Sequence, residues 1–418
     1  MKEKIHMSVS ITKQADNYLE TLAKALEIPP SRYEQAEKSY KSLGEWLHRE
    51  ESLVRKLSPD VYVQGSFRLG LVIKPLSAQE EYDIDCACSL TDLDKSSLSQ
   101  YALKDLLGNE LELYRQNKSM KKPVSEQRRC WRLEYADGAQ FHMDIIPCVP
   151  NGQQQRFLLE QKQFDTQFSE TAIAITDNEV LPQYYLITSD WPRSNPRGYA
   201  EWFKSRMGEV FKTKRRQIFE QMKASGIQAS IEDIPTYRVR TPLQSAIMIL
   251  KRHRDMMFED NSKDKPISII LTTLSAHAYN GEESIGSALL SILARMKDGI
   301  HFDGNKYVIN NPTDALENFA DKWETHPERA EAFFSWLAQA QEDFVAVGQQ
   351  AEHRRMSSIL ENRIGRSTTD QVNQDILSLT KSGSNGLLSV AAIVSASSIP
   401  NITFADIPRT PNKPEGFA

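Results

Sequence analysis

Three aspartates carry the chemistry this sequence is equipped to do: Asp83 and Asp85 in Tyr82-Asp83-Ile84-Asp85-Cys86, and Asp144 in His142-Met143-Asp144-Ile145. Both stretches read as strands with apolar collars. Side chains at i and i+2 of a strand share a face, so Asp83 and Asp85 point the same way. Asp144, on a second strand, completes a cluster of three carboxylates. Such a cluster repels itself unless a divalent cation sits within it, and hard cations with oxygen ligands, Mg²⁺ or Mn²⁺, suit the set. Ser66 stands 17 positions before Asp83, in a Gly65-Ser66 turn that follows the β-type run Val61-Tyr62-Val63. Lacking a Cβ, Gly65 lets backbone N–H groups come near a phosphate, and Ser66 adds a hydroxyl. The turn is not a P-loop, since the chain has no G-x-x-x-x-G-K-[ST]. A lone D-x-D is more often a solvated strand edge, and it is the order and spacing of the three pieces together that point to a site.

This arrangement resembles the nucleotidyltransferase superfamily that includes DNA polymerase β, poly(A) polymerases and oligoadenylate synthetases. A closer resemblance is to bacterial relatives of cyclic GMP–AMP synthase, the CD-NTases of CBASS anti-phage systems. It is carried by Gln64-Gly65-Ser66-Phe67-Arg68-Leu69-Gly70, by Glu81-Tyr82-Asp83-Ile84-Asp85, and by Ser194-Asn195-Pro196-Arg197-Gly198-Tyr199-Ala200-Glu201-Trp202-Phe203. Thr241-Pro242-Leu243-Gln244, leading to Lys251-Arg252-His253-Arg254-Asp255, adds a fourth stretch, so that residues 60–280 are covered. Within that family the chain is most similar to clade D enzymes, which make a cyclic trinucleotide.

The resemblance implies an α/β (α+β) fold: a polymerase-β-like nucleotidyltransferase sheet lobe, a long N-terminal spine helix and a C-terminal helical lobe. The expected division is 1–58 for the N-terminal helices, 59–195 for the catalytic core, 196–382 for the helical lobe and 383–418 for a flexible tail. It further implies a cyclic oligonucleotide second-messenger synthase acting on ATP and GTP, with cyclic AMP-AMP-GMP as the expected product. Two Mg²⁺ ions (or Mn²⁺) would be held by Asp83, Asp85 and Asp144, with Asp144 also the candidate general base. A linear oligonucleotide synthetase or a terminal nucleotidyltransferase is the alternative in the same chemical class. A catalytically silent nucleotide-binding member of the fold is the alternative outside it, and the intact carboxylate cluster speaks against that reading, because unused it costs stability. In many CBASS operons a ubiquitin-ligase-like protein conjugates the synthase through its C-terminus, and the run ending Gly416-Phe417-Ala418 looks like that substrate, with Ala418 as the attachment point.

A triphosphate also needs cations and hydroxyls. Lys251 is the candidate phosphate ligand, two helical turns beyond Gln244. In the next helix Ser268, Thr272, Ser275 and Tyr279 share a face, and the resemblance places Ser268 at the phosphates. The rival reading is that these hydroxyls bond back to their own helix. His142 shares the face of Asp144 and reads as a half-exposed strand residue beside the site rather than as a catalytic group. Base-reading residues are not assignable.

The elements that must position these groups are legible from periodicity. Ile11 to Leu26 has helical spacing, and Pro29-Pro30 breaks it. Ser31 with Glu34 forms a capping-box signature. From there Tyr33, Ala36, Tyr40, Leu43, Leu47, Val54 and Leu57 predict one amphipathic helix of about 40 Å. A helix is expected near Leu98 to Gln116, and a hairpin turn at Asp137-Gly138, placing Asp144 on its second arm. Helical periodicity recurs at 200–224, 241–260, 266–280, 284–297 and 327–362; after Gly383 the helical pattern is lost, and from Pro400 the chain is Pro-rich and weakly apolar.

Composition fits a soluble enzyme. The 418 residues carry a net charge of −5, which argues against a broad nucleic-acid surface and so against long nucleic-acid activators. No apolar run reaches the roughly 20 residues that span a membrane, and Met1-Lys2-Glu3-Lys4 does not open a signal peptide, so a cytoplasmic address is expected. The four cysteines, Cys86, Cys88, Cys130 and Cys148, form no C-x-x-C pair. Cys86 and Cys88 alternate with the aspartates and are expected to face the apolar side of the sheet.

Overall fold

A computed structural model describes residues 11–77, 81–135, 141–224 and 239–381. The Asp137-Gly138 turn and the tail with Ala418 lie outside the described residues. Helix α1 (Lys13–Leu26) starts where the Thr12 hydroxyl accepts the Ala15 amide at 3.1 Å. Helix α2 (Pro30–Leu47) has Pro29 at its cap and no side-chain cap. Proline presets helical φ at the first position, so the helix begins at Pro30 and the expected Ser31 cap falls inside its first turn.

Helix α2 is also shorter than its periodicity predicts: 18 residues, about 27 Å. Beyond it, Glu110 accepts the Leu53 amide at 2.7 Å and the Arg49 guanidinium at 2.7 Å. These bonds hold the chain in a turn, and Val54 still reaches the core from there.

Strand β1 (Pro59–Val63), the short helix α3 (Gly65–Leu69), β2 (Tyr82–Leu90), helix α4 (Gln100–Asn117), β3 (Ser125–Glu126), β4 (Trp131–Tyr135) and β5 (Phe141–Pro150) follow. Helix α5 (Gly152–Gln161) and strands β6 (Ile173–Ile175) and β7 (Arg193–Ser194) complete a seven-stranded sheet. Its main path runs β1-β2-β5-β4-β3, with β6 joining the end of β5 and β7 joining β6. Strand β2 pairs antiparallel with β1 but parallel with β5. Helices α2 and α4 cover one face, and Tyr33, Leu43, Ile84, Cys86, Cys88, Leu107 and Ile145 build the core there. The two cysteines are fully buried on that side, opposite the aspartates, as alternation requires.

The remaining chain is mostly helical: α6 (Pro196–Ala224), α7 (Pro242–Met257), α8 (Ser268–Ala278) and α9 (Ile285–Arg295). Small strands β8 (His301–Phe302), β9 (Tyr307–Val308), β10 (Asn310–Asn311) and β11 (Asp314–Asn318) form two hairpins. Then come α10 (Lys322–Thr325), α11 (Pro327–Gly348), α12 (His353–Ile364) and α13 (Arg366–Lys381). The single helical stretch expected at 327–362 is therefore two helices, and α13, whose bounds the periodicity did not give, lies within the expected helical lobe of 196–382. The two N-terminal helices divide between two cores: α2 packs on the sheet, whereas Tyr18, Leu19 and Leu22 of α1 join Ile247, Leu250, Leu274, Trp336 and Phe344.

Helix α7 is the axis of this second core, buried on every side from Pro242 to Arg254. The Thr241-Pro242-Leu243-Gln244 stretch is its reciprocal capping box, and Gln244 also donates to the Leu69 carbonyl at 2.9 Å, tying α7 to α3. A second tie comes from Arg197 of α6, whose fork donates to both oxygens of the buried Asp60 at 2.8 and 3.0 Å. Among the described residues no helix is long and apolar enough to cross a membrane.

Candidate active site

Parallel pairing of β2 with β5 sets Asp85 opposite Asp144 and Asp83 opposite His142. Antiparallel pairing of β4 with β5 extends both rows, with Arg132 beside Asp144 and Glu134 beside His142. One face of three strands thus carries Asp85–Asp144–Arg132 in one row and Asp83–His142–Glu134 in the next. The Arg132 fork donates from Nε and Nη2 to the two oxygens of Asp144, each at 2.8 Å. Sequence reasoning missed Arg132, and the hairpin explains why. A two-residue loop at Asp137-Gly138 would set Arg132 against Met143, on the other face. The observed register sets Tyr135 opposite Phe141 and so moves Arg132 by one residue, onto Asp144.

The Gly65-Ser66 turn abuts this face. Gly65 has φ +60°, and a Cβ there would stand 2.3 Å from Oδ2 of Asp85. Only glycine fits that approach. From the opposite side Lys251 of α7 donates to Ser66 Oγ at 3.2 Å and to the Leu71 carbonyl at 2.8 Å. Lys251 is buried, not the surface lysine that charge alone suggests. Between sheet and helices lies a cleft of about 670 Å³, lined among others by Gly65, Ser66, Asp83, Asp85, Lys251 and Ser268. Ser268 accepts from Arg254 Nη1 at 3.0 Å, and Asp255 holds Arg254 and Lys265.

The expected hydroxyl stripe is cut short. Thr272 reaches the cleft with Ser268, but Ser275 and Tyr279 are not among the lining residues. Helix α8 ends at Ala278, and the Tyr279 hydroxyl donates instead to the Glu282 carbonyl at 2.8 Å.

The electrostatics are uneven. The bond from His142 holds the Asp83 carboxyl below its ordinary range. Burial, and then the charges of Asp83 and Asp144, push Asp85 up to about 6. On His142, burial pushes downward but the bond to Asp83 and its charge outweigh it, so the imidazole is raised overall. Burial pushes Lys251 down to about 8, with Arg254 adding to the effect. Burial, followed by the charge of Asp144, pushes the Cys130 thiol up to about 12, so it is no nucleophile.

Asp144 therefore has the fixed cation Arg132 and Asp83 has the His142 imidazole as partner, while Asp85 is left without enough positive charge. Ligand atoms of Asp83, His142 and Asp144 all lie within 4.8 Å of one another. The Arg132 fork uses one lone pair on each Asp144 oxygen and leaves the others for a second partner. A divalent cation fits this donor set and finds hard oxygen ligands on Asp83 and Asp144, while Asp85, in the row with Asp144, is not part of the group that lies within 4.8 Å.

A family model for the nucleotidyltransferase domain of DncV-like cyclic GMP–AMP synthases matches residues 59–147, the segment that carries both rows. The c-di-GMP synthase of Roseivirga ehrenbergii is 28% identical over 329 residues, covering 78% of this chain and 77% of that protein. The cyclic dinucleotide synthase CdnG of Bradyrhizobium diazoefficiens is 25% identical over 317 residues, covering 74% and 70%. The solved structure of CdnG in complex with GTP superposes with a TM-score of 0.62 at 19% identity, over 87% of this chain and 99% of that one. The E. coli MS115-1 CdnC structure, solved with HORMA-deltaN, follows at 0.56 and 12% identity, over 83% and 97%. The two structural likenesses speak to the fold. The family model gives residues 59–147 as a DncV-like nucleotidyltransferase domain, and the two curated relatives make the chain similar, over 78% and 74% of its length, to the CD-NTase family of cyclic nucleotide synthases.

Proposed function

We propose that this protein is a CD-NTase that joins GTP, alone or with ATP, into a ring of two nucleotides by successive nucleotidyl transfers. One observation carries the reading: Asp83, Asp85 and Asp144 share one sheet face beside a cleft whose far wall presents Lys251. Ring size and base come from the relatives. One is a c-di-GMP synthase, the other a cyclic dinucleotide synthase whose structure holds GTP. They favour a dinucleotide over the cyclic AMP-AMP-GMP expected from the sequence.

Each transfer forms a bond from a ribose oxygen to an α-phosphorus and breaks the bond to pyrophosphate, while the hydroxyl proton passes to a base. Asp83, Asp85 and Asp144 would hold two divalent cations, which when bound lower the hydroxyl pKa and neutralise the triphosphate. Asp144 is the proposed proton acceptor, kept in orientation by Arg132. Ser66 and Lys251 hold phosphate oxygens, Lys251 as a charge already desolvated and so strengthened toward an anion. Ser268 and Arg254 extend the anion-binding track along the cleft. Gly65 keeps the turn close enough for Asp85 and phosphate to share it.

The setting is proposed as cytoplasmic anti-phage signalling. Ala418 is the proposed attachment point for a ubiquitin-ligase-like partner, a reading that rests on sequence alone. Deleting the last few residues should abolish conjugation and spare synthesis.

The test of the core reading is incubation with all four labelled NTPs and Mg²⁺ or Mn²⁺, phosphatase treatment, and mass spectrometry of what survives. A phosphatase-resistant cyclic dinucleotide containing guanine, absent from Asp83→Asn/Asp85→Asn, is the expected result. Linear products would replace the cyclase reading with an oligonucleotide synthetase, and a three-membered ring would restore the trinucleotide expectation.

A further inference from the structure

The second row of the site carries a nitrogen that the aspartate motif does not call for. The side chain of His142 is 12% exposed. Its Nδ1 stands 3.3 Å from Glu81 Oε2, and its Nε2 meets Asp83 Oδ1. A carboxylate on one ring nitrogen fixes the tautomer and aims the other nitrogen, as it does in metal-bound histidines. Here the aimed atom is Nε2, and it faces the group formed with Asp83 and Asp144, whose ligand atoms all lie within 4.8 Å. A cation bonded at roughly 2.1 Å spans ligand atoms up to about 4.2 Å apart, so small turns of these side chains close the group around an ion. Nε2 is paired there with Asp83 Oδ1, and a cation bound by both atoms would replace that pairing.

Resting on the nucleotidyl-transfer reading, we propose that His142 is a direct ligand of one of the two cations, with Glu81 as its orienting partner. The chemical consequence is selection. Mg²⁺ favours oxygen ligands and water, whereas imidazole suits transition metals. A site of carboxylates plus one imidazole nitrogen prefers Mn²⁺ over Mg²⁺.

The experiment is electron paramagnetic resonance of Mn²⁺ added to the full-length protein, alone and with a non-hydrolysable GTP analogue. Loss of the free Mn²⁺ signal reads affinity, and pulsed spectra read nitrogen-14 coupling from a bound imidazole. Wild type should show nitrogen coupling. His142→Gln should keep its melting temperature, lose the coupling and bind Mn²⁺ about tenfold more weakly, while its Mg²⁺ affinity, read by competition, changes less than about twofold. Glu81→Gln should keep the coupling with a smaller loss of affinity. Bound Mn²⁺ without nitrogen coupling, or equal losses of Mn²⁺ and Mg²⁺ in His142→Gln, would overturn the proposal and leave the carboxylate site standing. Failure of wild type to bind Mn²⁺ even with the GTP analogue would overturn both.

Discussion

Gly65→Ala isolates the contact between the phosphate-side turn and the carboxylates. The new Cβ would sit 2.3 Å from Asp85 Oδ2, 3.2 Å from its Cγ and 3.3 Å from its Cβ, at φ +60°. Left-handed backbone costs a residue with a Cβ about 1–2 kcal/mol. In a chain of this size that lowers the melting temperature by about 1–3 °C. The larger effect falls on the site. The oxygen must withdraw from 2.3 Å to at least 3.0 Å. A displacement approaching 1 Å at a reacting centre costs on the order of 100-fold in rate. Pyrophosphate release at saturating NTP and Mn²⁺ reads the rate, and differential scanning fluorimetry reads the fold. Gly208→Ala in α6 is the control, since a Cβ there meets nothing within 4 Å and should stabilise the helix by about 0.5–1 kcal/mol. A Gly65→Ala rate within about threefold of wild type would refute the contact argument, and so would a loss of melting temperature large enough to show that the turn holds the fold rather than the site.

Three further perturbations probe the charges. The Asp85 carboxyl is raised from 3.8 to about 6, so in the metal-free protein the folded state binds the extra proton. Stability should therefore fall as pH rises from about 4 through 6, and Asp85→Asn should melt several degrees above wild type at about pH 8, with the gap closing near pH 4 and Mn²⁺ restoring wild type alone. Lys251→Ala removes the buried charge shared with Ser66 Oγ and the Leu71 carbonyl, and should weaken NTP binding by at least about tenfold in equilibrium titration. Arg132→Gln frees Asp144 from its fork, and should tighten Mn²⁺ binding without nucleotide by about threefold while lowering turnover, because the proposed base loses its orientation.

Much of the site was legible because its signals are local. Strand alternation forces Asp83 and Asp85 onto one face and sends Cys86 and Cys88 into the core, and both are observed. Gly65 announces a backbone position that other residues resist, and its φ of +60° agrees. Helix α1 and the helices around Lys251 and Ser268 follow from periodicity and from proline breaks. Boundaries were less legible where a distant partner ends an element. The turn after α2 depends on Glu110, over fifty residues along the chain.

The sequence by itself determined which residues could do chemistry and which face of their own strand each would take, because a strand's twofold repeat is a property of the local backbone. Only the tertiary structure decided which strands lie side by side. Pairing of Asp85 with Asp144, of Asp83 with His142, and of Arg132 with Asp144 depends on register, and a one-residue slip sends a side chain to the other face. The placement of Lys251 was likewise decided from outside its helix. Its spacing alone fits a solvated helix face, yet α7 is enclosed by its neighbours on every side, and burial together with the bonds to Ser66 and Leu71 makes that lysine part of the site.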